Sequence, residues 1–386
     1  MALGVGFGEC RKMYSRFPFF APDPRELPAP SGELFRRRVR AFGLLESCEF
    51  VDAERRAEIG REILIIGPEA LPALYRAAAG RRENAAALAR SLVRLLVPDE
   101  IGRQIYLGLL RDKREYAVEH GAVLLSRLHY PNLPVQRVLK DIDSLARKAA
   151  HFIHERLGIT KGEARKAASE RTIELVKNLG EFWREEGFHG NTENYYNDQN
   201  SYLPDVLERH TGLPISLSIL YLALARRLYL RADGVGMPGH FIVRVRVATP
   251  KGEQFVLIDP FNGARPLNIE DCKERVEQTG QPFDPEDHLQ ATSPREILAR
   301  VCNNLLALFD HQKKVLDAER VATVLVHLQP RDPIPLLIRA ERRLRRGERK
   351  NARSDFEQAQ RLDPSGPAGR AAEELLKRME YENPFR

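Results

Sequence analysis

The sequence predicts an α+β protein, with helical segments at both ends and, between them, helices packed on a small antiparallel sheet. Three observations predict it. From about Leu34 to Leu157 the chain is rich in Ala, Leu and Arg, and its apolar residues recur at helical spacing. Near the other end Pro330 and Pro364 lie 34 residues apart, each closing a helical stretch, and 34 is the tetratricopeptide period. Between these ends FIVRVRV (Phe241 to Val247) alternates apolar and basic residues, and QFVLIDPFNG (Gln254 to Gly263) returns after a turn at Thr249 to Glu253.

Taken in order, residues 1–32 form a tail and linker, since four prolines fall between Pro22 and Pro30 and resist regular structure. Residues 33–117 form a helical region. Its IGPEALPALYRAAAG segment, with Leu71, Leu74 and Tyr75 as apolar positions, resembles a HEAT-type repeat. Residues 118–295 hold the mixed core and 296–386 the C-terminal repeats. Counting back from Pro364, Ala359, Phe356, Ala352 and Ala340 take the small and aromatic positions that let short helices pack closely. A last helix, from about Gly366 to Glu382, caps them.

Composition narrows the function classes. The chain has 386 residues, of which 43% are hydrophobic and 30% charged, as expected of a globular protein with two or three packed units. No apolar run reaches the roughly 18 residues that span a bilayer, and MALGVGFGEC lacks a basic leader, so a cytoplasmic protein without a membrane partner is expected. The net charge of +7 comes from 61 basic residues interspersed with 54 acidic ones. Its two clusters, RRRVR (Arg36 to Arg40) and RRLRRGERK (Arg342 to Lys350), read as solvated helix faces, and a nucleic-acid partner is not expected. Cys10, Cys48, Cys272 and Cys302 form no CxxC pair and read as reduced, buried thiols. HFIHE (His151 to Glu155) is not the HExxH zinc signature, and neither GxGxxG nor GxxxxGK[ST] occurs; no cofactor and no metal is expected.

The chemistry gathers in the centre. GNTENYYNDQNSYLPDVL (Gly190 to Leu207) is polar, aromatic and without helical period, a structured loop tied by Asx bonds. TGLPISLSILYLALARRL then begins a helix: Gly212 breaks the chain, Pro214 suits the first helical position, and Ser216 and Ser218 lie near a terminus whose exposed N–H groups favour negative charge. When the hairpin folds about its turn, His240 and Asp259 come within a residue or two of facing each other. A carboxylate beside an imidazole fixes its tautomer and raises its basicity, the base-and-orienter half of a catalytic triad. Asn200, Tyr202, Pro238 and Asn262 are candidate pocket residues around them.

From about residue 118 to 290 the sequence resembles the transglutaminase-like core of the bacterial SirB-type family, whose members carry C-terminal tetratricopeptide repeats. FHGNTENYYNDQNSYLPDVLERHTGLPISLSILYLALARRL, GVGMPGHFIVRV and LIDPFNG carry the resemblance. It implies a papain-like fold with Cys on the helix and His and Asp on the strands, and His240 and Asp259 match the last two roles. The nucleophile does not match, because Gly212-Leu213-Pro214-Ile215-Ser216 stands where a cysteine would open the helix, and no cysteine lies between Cys48 and Cys272. The expectation is a module without catalysis that binds a peptide or small polar ligand and recruits protein partners through its repeats. The alternative is an amide or ester hydrolase or acyltransferase using Ser216, His240 and Asp259. Serine does not ionise near neutral pH, so that reading requires His240 as a true general base.

Overall fold

A computed structural model describes residues 32–111, 117–249 and 252–381. The proline-rich tail, apart from Gly32, lies outside the described residues with Cys10, as do Pro250 and Lys251 of the hairpin turn. The chain is mostly helical with small sheets. It divides into two compact units, one of residues 1–106, 127–133 and 315–386, the other of residues 107–126 and 134–314.

The first unit opens with helices α1 (Gly32–Ser47), α2 (Ala53–Ile66), α3 (Leu71–Ala78) and α4 (Glu83–Arg111), the last passing into the second unit after Tyr106. Asp52 starts α2 by accepting the Arg55 amide at 2.8 Å. Gly67, with φ of 77°, ends it. Ile59, Ile63, Leu74, Ile101 and Ile105 are fully buried.

The second unit holds α5 (Val118–Ser126), α6 (Val135–Leu157), α7 (Ala164–Glu170), α8 (Thr172–Glu185), α9 (Leu203–Arg209), α10 (Pro214–Arg227), α11 (Ile269–Glu277), α12 (Pro285–His288) and α13 (Pro294–His311). A two-residue parallel bridge joins β1 (His189–Gly190) to β2 (Thr211–Gly212). The main sheet is antiparallel, in the order β3 (Ala232–Met237), β4 (His240–Thr249), β5 (Gly252–Asp259), β6 (Arg265–Leu267). The alternation expected of β4 is present: Val243, Val245 and Val247 are buried, while Arg244 and Arg246 are half-exposed. On the arginine side the sheet is still covered at its His240 end, where Val235, Met237, Ile242, Leu257 and Leu267 pack with Cys272 and Val276 of α11. Such burial accounts for a sheet that is apolar on both faces near the site.

The first unit closes with α14 (Val315–Leu328), α15 (Ile334–Arg345), α16 (Arg349–Leu362) and α17 (Pro367–Tyr381), each packed on the next. The small residues picked out by the 34-residue spacing do share one core: Ala340, Ala352, Phe356 and Ala359 are fully buried together with Leu336 and Ala372. The arginine run here is the solvated face expected only in part: Arg345, Arg349 and Lys350 are exposed, whereas Arg343 and Arg346, with Arg339 before them, meet buried carboxylates. Arg339 and Arg343 grip the buried Asp355, with Arg339 Nη2 and Arg343 Nη1 both at 2.8 Å, and Arg343 and Arg346 pair with Glu319. Burial of Asp355 and Glu319 demands cations, and the run supplies them. Arg36 to Arg40 is paired in part as well, Arg37 with Glu33 and Arg40 with Glu62.

A candidate site at the His240 strand end

Register places the pair. Val243 lies opposite Ile258, so Asp259 sits one step beyond, on the same face as His240 and displaced from it by two residues along β4. That diagonal is within reach of an imidazole. His240 Nε2 and Asp259 Oδ1 are 3.0 Å apart, with His240 at 5% exposure and Asp259 at 0%. The two-residue β3–β4 turn sets the imidazole at the strand's start: Pro238 precedes Gly239, whose φ of 69° suits glycine. The hairpin thus brings together the two residues the sequence paired.

Asp259 is held from every side. Its Oδ2 accepts from Asn262 Nδ2 at 2.7 Å and meets Arg275 Nη2 of α11 at 3.3 Å, while Oδ1 also accepts the Asn262 amide at 3.4 Å. Burial works against its charge, yet the hydrogen bonds from His240 and Asn262 and the charge of Arg275 outweigh it and keep the carboxyl below its ordinary value. Neither side chain of His240 and Asp259 is free to turn. Among the described residues the second imidazole nitrogen, Nδ1, makes no hydrogen bond. The carboxylate therefore holds Nε2 rather than Nδ1, the reverse of the serine-protease template, in which the aspartate holds Nδ1.

Packing fixes the surroundings. Phe261 stands edge-on to the His240 ring, with centroids 5.9 Å apart. Its own ring lies over Gly190, where an added Cβ would come within 2.3 Å of it, so only glycine admits this approach. Trp183 of α8 donates Nε1–H to the Pro260 carbonyl at 3.0 Å and stacks on Phe188. From α10, Ser218 donates to the Phe241 carbonyl at 3.2 Å, anchoring the first turns of that helix to β4 beside His240.

Ser216 is differently employed. Its Oγ accepts the Leu213 amide at 2.9 Å and lies 2.6 Å from the Asn200 carbonyl, to which it donates. The side chain is 1% exposed and caps its own helix. No hydrogen bond joins it to His240 among the described residues. Asn200, at 0% exposure, knots the asparagine loop: its Nδ2 donates to the Asn194 and Tyr195 carbonyls and its Oδ1 accepts from Asn191 Nδ2 at 3.0 Å. Tyr202 is buried at the entry to α9. Pro238 and Asn262 flank His240 and Asp259 directly, whereas Asn200 and Tyr202 support the loop and helix behind.

Two cations escaped the sequence reading. Arg275 is one; the other is Arg300 of α13, whose Nη2 donates to the Met237 and His240 carbonyls at 2.6 and 2.9 Å. Arg300 has no carboxylate partner among the described residues, and burial pushes its pKa down. Each sits on an amphipathic helix, and nothing local marks it.

A family model described as the transglutaminase-like superfamily matches residues 136–303, which include His240, Asp259, Arg275 and Arg300. A UPF0162 protein of Xylella fastidiosa is 33% identical over 250 residues, 63% of this chain and 83% of that one. A UPF0162 protein of Pseudomonas aeruginosa is 30% identical over 216 residues, 55% of this chain and 73% of its own length. Human F-box only protein 21 is 34% identical over 130 residues, 31% of this chain and 19% of that protein. No solved structure matches the chain. Among the described residues no helix is long and apolar enough to cross a membrane. With a bacterial relative alike over more than four-fifths of its length and the superfamily model spanning every residue of the His240 site, this chain belongs to the UPF0162 family of transglutaminase-like proteins.

Proposed function

We propose that the chain is a transglutaminase-like module that has lost its nucleophile and keeps the His240–Asp259 pair to bind a peptide or small polar ligand. The observation that carries this reading is the commitment of Ser216, whose buried hydroxyl is spent on Leu213 and Asn200. No cysteine stands in its place: Cys272 and Cys302 are core residues, and burial raises both thiols. A fixed imidazole with Nδ1 unpaired, beside the half-buried cation of Arg300, suits a ligand with hydrogen-bond acceptors. The domain is drawn at residues 118–295, a SirB-type arrangement. The helices before it read as HEAT-like, and those from 296 to 386 read as tetratricopeptide units that recruit a protein partner in the cytoplasm.

A second reading draws on the intact base-and-orienter pair: an amide or ester hydrolase or acyltransferase with Ser216 as nucleophile. It requires that Ser216 leave two backbone partners and turn toward His240. Labelling of the purified chain with a fluorophosphonate, with Ser216→Ala as control, separates the two. Absence of serine-dependent labelling is expected; labelling lost in Ser216→Ala overturns the binding module. A peptide array supplies the positive arm, since peptides retained by the wild type should be lost with His240→Ala, and identical arrays would refute binding at His240.

A further inference from the structure

Four arginines from separate elements of the second unit converge on a cavity of about 800 Å³: Arg165 of α7, Arg226 near the end of α10, Arg231 just before β3, and Arg246 of β4. Glu253 is the carboxylate of this lining, and it pairs with Arg246 at 3.2 Å. Arg226 is met by Glu119. Arg165 and Arg231 have no carboxylate partner among the described residues; Arg165 instead stands over the Tyr229 ring, 5.5 Å from its centroid. Tyr229, just past the end of α10, has a φ of 61° and is 52% exposed.

Like charges gathered in a hollow repel one another, and a concave wall concentrates their field. Arg165 and Arg231 are exposed and without a carboxylate partner among the described residues, which suits them to a ligand of at least two negative charges, and the planar fork of arginine fits phosphoryl oxygens in pairs. An exposed aromatic ring adjacent to them offers a face for a flat heterocycle. The volume is that of a small-molecule site. We infer that this cavity binds a nucleoside diphosphate-class ligand, its phosphoryl groups on Arg165 and Arg231 and its base against Tyr229. The grip comes from side chains rather than from a glycine-rich loop, which is why no phosphate-binding motif marks it in the sequence. Arg246 lies six residues along β4 from His240, about 20 Å at the rise of a strand, so the cavity is separate from the His240 site.

Calorimetric titration of the full chain with inorganic pyrophosphate and with ADP, at about 50 mM and about 200 mM salt, tests the inference. Both probes should bind, more weakly at the higher salt. Arg165→Ala combined with Arg231→Ala should weaken both by about tenfold or more. A control pair of exposed arginines, Arg137→Ala with Arg147→Ala, removes the same charge elsewhere and should change neither; circular dichroism verifies that all variants are folded. Tyr229→Ala should weaken ADP about three- to tenfold and leave pyrophosphate unchanged. No heat from either probe up to ~5 mM overturns the site. So does equal weakening by the control pair. ADP binding no tighter than pyrophosphate, with Tyr229→Ala silent, overturns the nucleotide class.

Discussion

Replacing Asp259 by Asn changes almost no volume and removes one charge from the centre of the site. The carboxylate accepts from His240 and the Asn262 amide at Oδ1, and from Asn262 Nδ2 while pairing with Arg275 at Oδ2. An amide can accept at only one of these atoms and must turn a donor toward donors at the other. Hydrogen bonds to charged groups contribute about 1.5–3 kcal/mol, and an unmatched buried donor costs about 1–3 kcal/mol, so a loss of about 3 kcal/mol is expected. For a unit of this size that lowers the melting temperature by about 6–12 °C. Trp183 is the chain's single tryptophan and donates to Pro260, the next residue, so its fluorescence during heating reports on this region. The pH dependence has a definite sign. The folded carboxyl is held below its ordinary value of 3.8, so its contribution is complete above that value and disappears as pH falls through the lower, folded one. The gap between wild type and Asp259→Asn should be full at pH 6 and close below about pH 3.8. A gap under about 1 kcal/mol at pH 6, or one that persists undiminished to pH 3, would refute the account of Asp259 as a charged, fully partnered acceptor.

Other expectations follow from the same contacts. Asn200→Ala removes three side-chain hydrogen bonds made by a buried side chain beneath a largely exposed loop, a loss of about 3 kcal/mol, and amide exchange should accelerate from Asn191 to Leu213; unchanged protection there would refute the knot. Gly190→Ala forces Phe261 off its seat at a cost of about 1–3 kcal/mol and should shift the His240 imidazole resonances, which an unperturbed ring spectrum would contradict. Burial raises the thiols of Cys48 and Cys302 and pushes Cys272 up to about 11. None of these three should react with a thiol reagent at pH 8 until the chain is denatured; rapid native modification of Cys272 would show that its pocket opens.

The hairpin pair was legible because one short turn fixes it: once β4 and β5 are recognised, the numbering alone brings His240 near Asp259, and the register is off by only two residues. Ser216 was legible as a helix-start residue, but not its partner, because Asn200 reaches it from 16 residues away through a loop without period. Phe261 on Gly190, Arg275 on Asp259 and Arg300 on the Met237 carbonyl were illegible for a shared reason. Each is a tertiary contact between segments whose own patterns are ordinary, an aromatic after a strand or a basic residue on an amphipathic helix. The arginine run at 342–350 misled at Arg343 and Arg346 because sequence reports charge and not what is buried opposite it.

Arg300 reaches back 63 residues to the Met237 carbonyl and 60 to that of His240. A ribosome delivers the strands, the imidazole and its carboxylate well before it delivers this guanidinium. Until α13 emerges and docks, the hairpin corner has its own ladder bonds but lacks the brace of this guanidinium. A nascent or clipped chain ending upstream of Arg300 would thus carry every motif by which the site is recognised and still lack one of its tertiary contacts, so the strand corner gains its last support only with α13.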